Sequence, residues 1–264
     1  MTLPPDPAPR ATSPSFERLR LVLGDGACTT AHVAIYPLAP TTLRIRRLPG
    51  LARLEPWCQE TGVSEALVGG FYLRRPGVPP EPPLSATPLG ELWLDGAVQP
   101  YVEFTHPFGQ RRACISVVGD EVRIARRDEL GAVVTGDLLQ AGPLLVRQGR
   151  EVVDGDDEGF SASAEQFDSD ITVGRHPRAA LGCDGERLIA LVCDGRSDAD
   201  AGLTLGELAS AMADLGARDA LNLDGGGSAS IVCGGRLRNT PREAHETPVP
   251  GGRAIATALV FAPR

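Results

Sequence analysis

The chain contains no lysine: every one of its 26 basic residues is arginine. A Schiff-base lysine, a lysine general base and the lysine of the phosphate-gripping nucleotide loop are therefore excluded. No run of 18 apolar residues occurs, so no membrane-spanning helix is expected and no membrane partner is assigned. There is no excess of positive charge either. The formal net charge of −8 argues against nucleic acid as a partner, because backbone binding needs a basic face. The six cysteines include no C-x-x-C pair, which disfavours a zinc site or a disulfide framework and fits reduced, buried thiols. Residues 1–10 lack the apolar stretch of a secretory signal. They read as part of a proline-rich, disordered tail over residues 1–16, and a cytoplasmic location is the expectation.

What is present is rich in strands. Residues 18–23, 32–38 and 41–47 have strand patterning, and Ala66–Tyr72 is an apolar run broken by Gly69 and Gly70. Six prolines between residues 75 and 88 predict a semi-rigid surface loop. Residues 112–118 and 121–125 flank Gly119-Asp120, a hairpin signal. Residues 137–147 predict two short strands around Gly142-Pro143. The acidic cluster Asp154, Asp156, Asp157 and Glu158 lacks the spacing of a helix–loop–helix calcium site and reads as a solvated loop. A divalent metal such as calcium nonetheless stays open.

The last third shows a strand over 187–193 that ends at Asp194, then Thr204-Leu-Gly-Glu207 with the spacing of a capping box. Leu205, Leu208, Met212 and Leu215 recur at helical spacing, and Gly216 closes the helix. A strand over 220–223 follows. This order predicts a crossover joining parallel strands, with Asp194 and Asp224 at one sheet edge, roughly 5–10 Å apart if the strands are neighbours. A final strand over 254–261 is expected to return to the same sheet. The fold expected is α+β: one domain over 17–264, of mixed β-sheet, with the site on a C-terminal strand–helix–strand unit.

That unit runs into Asn222-Leu-Asp-Gly-Gly-Gly-Ser228. Three consecutive glycines are costly to order, and they suit a backbone that must come close to an oxygen-rich ligand. Asp224, just before them, is the candidate catalytic carboxylate. The segment fails the dinucleotide pattern, since strand-like residues follow the glycines, and it fails the serine-nucleophile pattern at Ser230. Paired carboxylates with arginines remain, and Arg178, Arg196 and Arg253 each sit near a turn of the same region.

Arg178-Ala-Ala-Leu-Gly182, Asp194-Gly-Arg196, Gly202–Leu208, the Asn222–Ser230 turn, Asn239-Thr-Pro241 and Arg253 together resemble the phosphodiester glycosidase family. The likeness covers roughly residues 66–264. It implies hydrolysis of the bond between a sugar's anomeric carbon and a phosphodiester, with a small-molecule glycosyl phosphodiester as partner. No cofactor is expected beyond the divalent metal left open above. The likeness also implies that Asp224 and Asp194 are catalytic. Arg178, Arg196, Asn222, Gly225, Gly226, Gly227, Ser228, Arg253, Gly69 and Gly70 would then bind substrate. Val68 and Ala179 stand where the family commonly has Asn and Thr. This leaves open a sugar-phosphate or nucleotide-sugar binding protein without turnover, and a metal-dependent hydrolase is a third reading. Sugar, aglycone, stereochemical course and oligomeric state are not read from the sequence.

Overall fold

The computed structural model describes residues 13–76, 84–153, 157–160, 174–243 and 247–264. Most of the expected tail, and Asp154 and Asp156 of the acidic cluster, lie outside these residues. A seven-stranded sheet has the spatial order Ser15–Val22, Cys28–Pro37, Arg187–Cys193, Arg178–Cys183, Asp219–Asn222, Leu144–Arg147, Arg150–Glu151. A five-stranded sheet runs Arg236–Leu237, Ile231–Cys233, Ala66–Val68, Ile255–Pro263, Thr41–Ala52. Another runs Glu121–Arg126, Ala113–Val118, Asp137–Gln140, Leu92–Leu94, Ala97–Val98. Tyr72–Pro76 and Leu84–Pro88 form a separate two-stranded ribbon. The proline-rich stretch is thus partly a hairpin arm, tolerated because a free ribbon has no flanking ladder to satisfy.

Among the described residues every pairing between named strands is antiparallel, and the one parallel contact is the isolated bridge Leu89–Val102. This overturns the expected α+β class. The described residues contain only two α-helices, Leu54–Thr61 and Leu205–Asp214, and the protein is mostly β-sheet. The strand Arg187–Cys193, in the middle of the seven-stranded sheet, is buried on both faces, which is why residues 188–193 are apolar throughout. Leu188, Ala190 and Val192 face a core shared by the three sheets. Ile189, Leu191 and Cys193 face the layer under the Leu205–Asp214 helix. Continuous burial imitates a parallel sheet in sequence, and that is the source of the error.

The crossover also differs from expectation. Arg178–Cys183 lies between Arg187–Cys193 and Asp219–Asn222 and is antiparallel to both. The two outer strands therefore do run the same way, but with a strand between them. Their ends share an edge at two strand spacings, ~10 Å. The final strand, Ile255–Pro263, joins the sheet of Thr41–Ala52 and Ala66–Val68 rather than that of the site turn. Locally the reading was sound. Thr204 Oγ1 accepts from Glu207 N at 3.1 Å, and Glu207 Oε2 accepts from Thr204 N at 2.9 Å. All six cysteines are free thiols, five of them buried.

Candidate active site

The strand Asp219–Asn222 delivers the chain into the glycine turn, and the neighbouring backbone clamps it there. Asp224 N donates to Gly69 O at 3.0 Å, and Gly226 N donates to Pro177 O at 2.8 Å. The glycines are needed for close approach. A Cβ on Gly225 would lie 2.9 Å from Pro177 O, one on Gly227 would lie 2.6 Å from Glu243 Oε1, and Gly226 has φ +59°. Of the three amides, Gly225 N–H donates to Asp224 Oδ1 at 2.9 Å and Gly226 N–H is engaged by Pro177.

Asp224 is enclosed enough that burial pushes its carboxyl up to about 6. The Ser228 hydroxyl, Arg253, the Gly225 N–H and Arg74 oppose that shift. Ser228 Oγ is buried and closes no hydrogen bond of good geometry among the described residues, yet it lies near enough to Asp224 and Tyr72 to favour their charged forms. The Tyr72 hydroxyl donates to Ala254 O at 2.7 Å and accepts from Arg74 Nη2 at 3.3 Å. Burial, then the Asp224 charge, raises its pKa.

Two of the expected arginines reach this point. Arg253 Nε donates to Glu243 Oε1 at 2.7 Å, and its Nη2 donates to Glu243 Oε2, making a fork. The carboxylate raises the pKa of Arg253 further. Arg196 has φ +57°, a left-handed backbone that a non-glycine residue holds only under constraint. Its Nη1 donates to Arg242 O at 3.3 Å and would stand 3.2 Å from a Cβ on Gly226. Among the described residues it makes no ion pair, and burial pulls its pKa down.

The other expected residues act as struts around the turn. Both carboxylate oxygens of Asp194 are engaged, Oδ2 with His32 Nε2 at 2.9 Å and Oδ1 with Thr240 N at 2.7 Å. Arg178 is buried, with Nε donating to Leu203 O at 3.0 Å and Nη2 to Gly174 O at 3.3 Å. Asn222 Nδ2 donates to Gly142 O at 3.1 Å and Leu223 O at 2.9 Å, while its buried Oδ1 has no partner among the described residues. A Cβ on Gly69 would lie 2.8 Å from the Thr257 carbonyl, and one on Gly70 would lie 3.1 Å from Gln140 O. Val68 and Ala179 are buried in the three-sheet core.

Three residues of the site escaped the sequence reading: Tyr72, Arg74 and Glu243. The first two are an i, i+2 pair on one face of a strand just after the glycine pair, a signal that was there to be used. Glu243 has no spacing signal. The acidic cluster also differs from a solvated loop. Asp157 pairs with Arg126 at 3.5 Å at the surface, but Glu158 is buried and accepts from Ala113 N at 2.9 Å and Leu144 N at 2.6 Å. Among the described residues no group of three or more His, Cys, Asp or Glu side chains is placed to hold a metal ion.

A model of the family described as phosphodiester glycosidase matches residues 61–262. No curated protein matches the chain in sequence. Among solved structures, the chain resembles the catalytic domain of zebrafish N-acetylglucosamine-1-phosphodiester α-N-acetylglucosaminidase, auto-inhibited by its pro-peptide. The TM-score is 0.68 at 21% identity, covering 96% of this chain and 83% of that one. It also resembles a hypothetical protein from Synechocystis, with TM-score 0.64 and 18% identity. That match covers 96% of this chain, which spans 62% of the Synechocystis protein.

Proposed function

Because the chain belongs to the phosphodiester glycosidase family, we propose that it hydrolyses the bond between a sugar's anomeric carbon and a phosphodiester oxygen, with Asp224 at the reacting centre. The observation that carries this reading is one shifted carboxyl set among arginines at the glycine turn. Asp224 is held at about 6 by burial, beside Arg253 and Arg74 and next to a turn lined by Arg196, which makes no ion pair among the described residues. A single available carboxylate suffices for this bond. The leaving group is a phosphate ester whose second ionisation lies near 6, so it departs with little help from an acid.

Arg196, Arg74 and Arg253 would receive the charge that develops on the departing oxygens, in a site already organised for it. Asp224, ionised above its pKa, would take the proton from the attacking water. A raised carboxyl is a better base near neutrality than an ordinary one. The C1–O bond breaks with its electron pair going to phosphate, water adds at C1, and free sugar and a phosphomonoester result. Asp194 is a positioning residue in this scheme, because both its oxygens are bound by the protein.

The test is release of free sugar from a panel of glycosyl-1-phosphodiesters and nucleotide sugars. Asp224→Asn should lower turnover by about 10²–10⁴-fold and still bind substrate. A wild type that releases no sugar from any member, yet is stabilised against heat by one, would instead be a binding protein without turnover.

A further inference from the structure

Three guanidinium groups converge on the turn, from three separate parts of the chain: Arg74 on the ribbon, Arg196 after the strand Arg187–Cys193, and Arg253 before the final strand. Two carboxylates meet them, Asp224 and Glu243. Glu243 takes the Nε–Nη2 fork of Arg253 with both its oxygens and sits against Gly227, where a Cβ would lie 2.6 Å from Oε1. Arg253 first, and then Arg196 and Arg74, hold the Glu243 carboxyl below its usual value. All three arginines therefore act on Glu243 as well as on any ligand. Three positive charges against two negative ones leave an excess of one.

We propose that Glu243 sets the charge specificity of the site, trimming the three-arginine cluster so that it matches the single negative charge of a phosphodiester rather than the double charge of a phosphomonoester. This rests on the phosphodiester reading above. The logic is a difference of affinities: a carboxylate fixed among the arginines disfavours each added negative charge on the ligand, so it disfavours a dianion more than a monoanion. It also bears on turnover. The substrate is a monoanion, whereas the product monoester is a dianion above its second pKa near 6. A site trimmed by Glu243 would favour substrate and release product.

The experiment uses two probes of similar size, methyl phenyl phosphate as the monoanion and phenyl phosphate as the dianion, titrated calorimetrically at pH 8 into the full chain. Glu243→Gln should shift the monoester-to-diester affinity ratio roughly tenfold toward the monoester, the scale of one close charge at a partly exposed site. Arg74→Gln, on an exposed side chain that does not hold the fold, should shift the same ratio the other way. If Glu243 merely orients Arg253, both probes weaken together and the ratio stays put, which overturns the proposal while the phosphodiester reading stands. Should neither probe bind the wild type or either variant, the phosphodiester reading itself falls, and the charge argument with it.

Discussion

Asp224 is the residue at which stability and chemistry pull against each other. Its carboxyl sits at about 6 in the folded chain against 3.8 as an ordinary aspartate, and burial is the main cause. The folded state thus holds the proton more tightly than the unfolded state. The resulting stabilisation is complete below about 3.8 and is lost as pH rises through about 6. Above that pH the ionised carboxylate costs roughly 3 kcal/mol, from two units at 1.36 kcal/mol each. Asp224→Asn should therefore raise stability at pH 8 by roughly 1–3 kcal/mol and change it little at pH 4. Denaturant titrations at the two pH values check this, and an equal effect at both would mean the carboxyl is not destabilised by burial. The same substitution removes turnover, so the gain comes where the function is lost.

At the scale of elements, the glycines separate packing from function. In the strand Arg178–Cys183, a Cβ on Gly182 would meet Met212 Cε at 2.6 Å and Ala217 Cβ at 2.9 Å, so the residue lets the Leu205–Asp214 helix lie close on the sheet. Gly182→Val should cost about 1–3 kcal/mol through overpacking. It lies at the other end of the strand from the site, so activity per folded molecule should hold. Gly69→Ala is the contrasting case. Its Cβ would press on the Thr257 backbone at 2.8 Å, and the strand must move. The Gly69 carbonyl holds the Asp224 amide at 3.0 Å, so the movement reaches the reacting carboxylate. We expect activity per folded molecule to fall at least tenfold, as misplacement of a catalytic group commonly does, in contrast to Gly182→Val. Paired unfolding and turnover measurements on the two variants separate the roles.

For the molecule as a whole, what was legible was local. The capping box at Thr204 and Glu207, the hairpin at Gly119-Asp120 and the Asp224 turn are encoded within a few residues of sequence. Partnership between distant strands is not. Nothing in residues 187–193 shows that Arg178–Cys183 will lie between them and Asp219–Asn222, because burial on both faces erases the alternation that would report it. Glu243 joins the site only because three sheets and a ribbon bring separate loops together. This arrangement sets an arginine cluster into a chain of net charge −8, and that opposition has a kinetic signature. An approaching phosphodiester is repelled by the whole molecule at long range and attracted by Arg74, Arg196 and Arg253 at short range. Salt screens the long-range part first, since the Debye length falls from about 30 Å at 0.01 M to about 10 Å at 0.1 M. kcat/KM should therefore rise over that interval and fall again toward 1 M, where the ~3 Å screening length reaches the contacts themselves. kcat should change little throughout. A steady fall from the lowest salt would show that the local cluster, not the acidic surface, governs encounter.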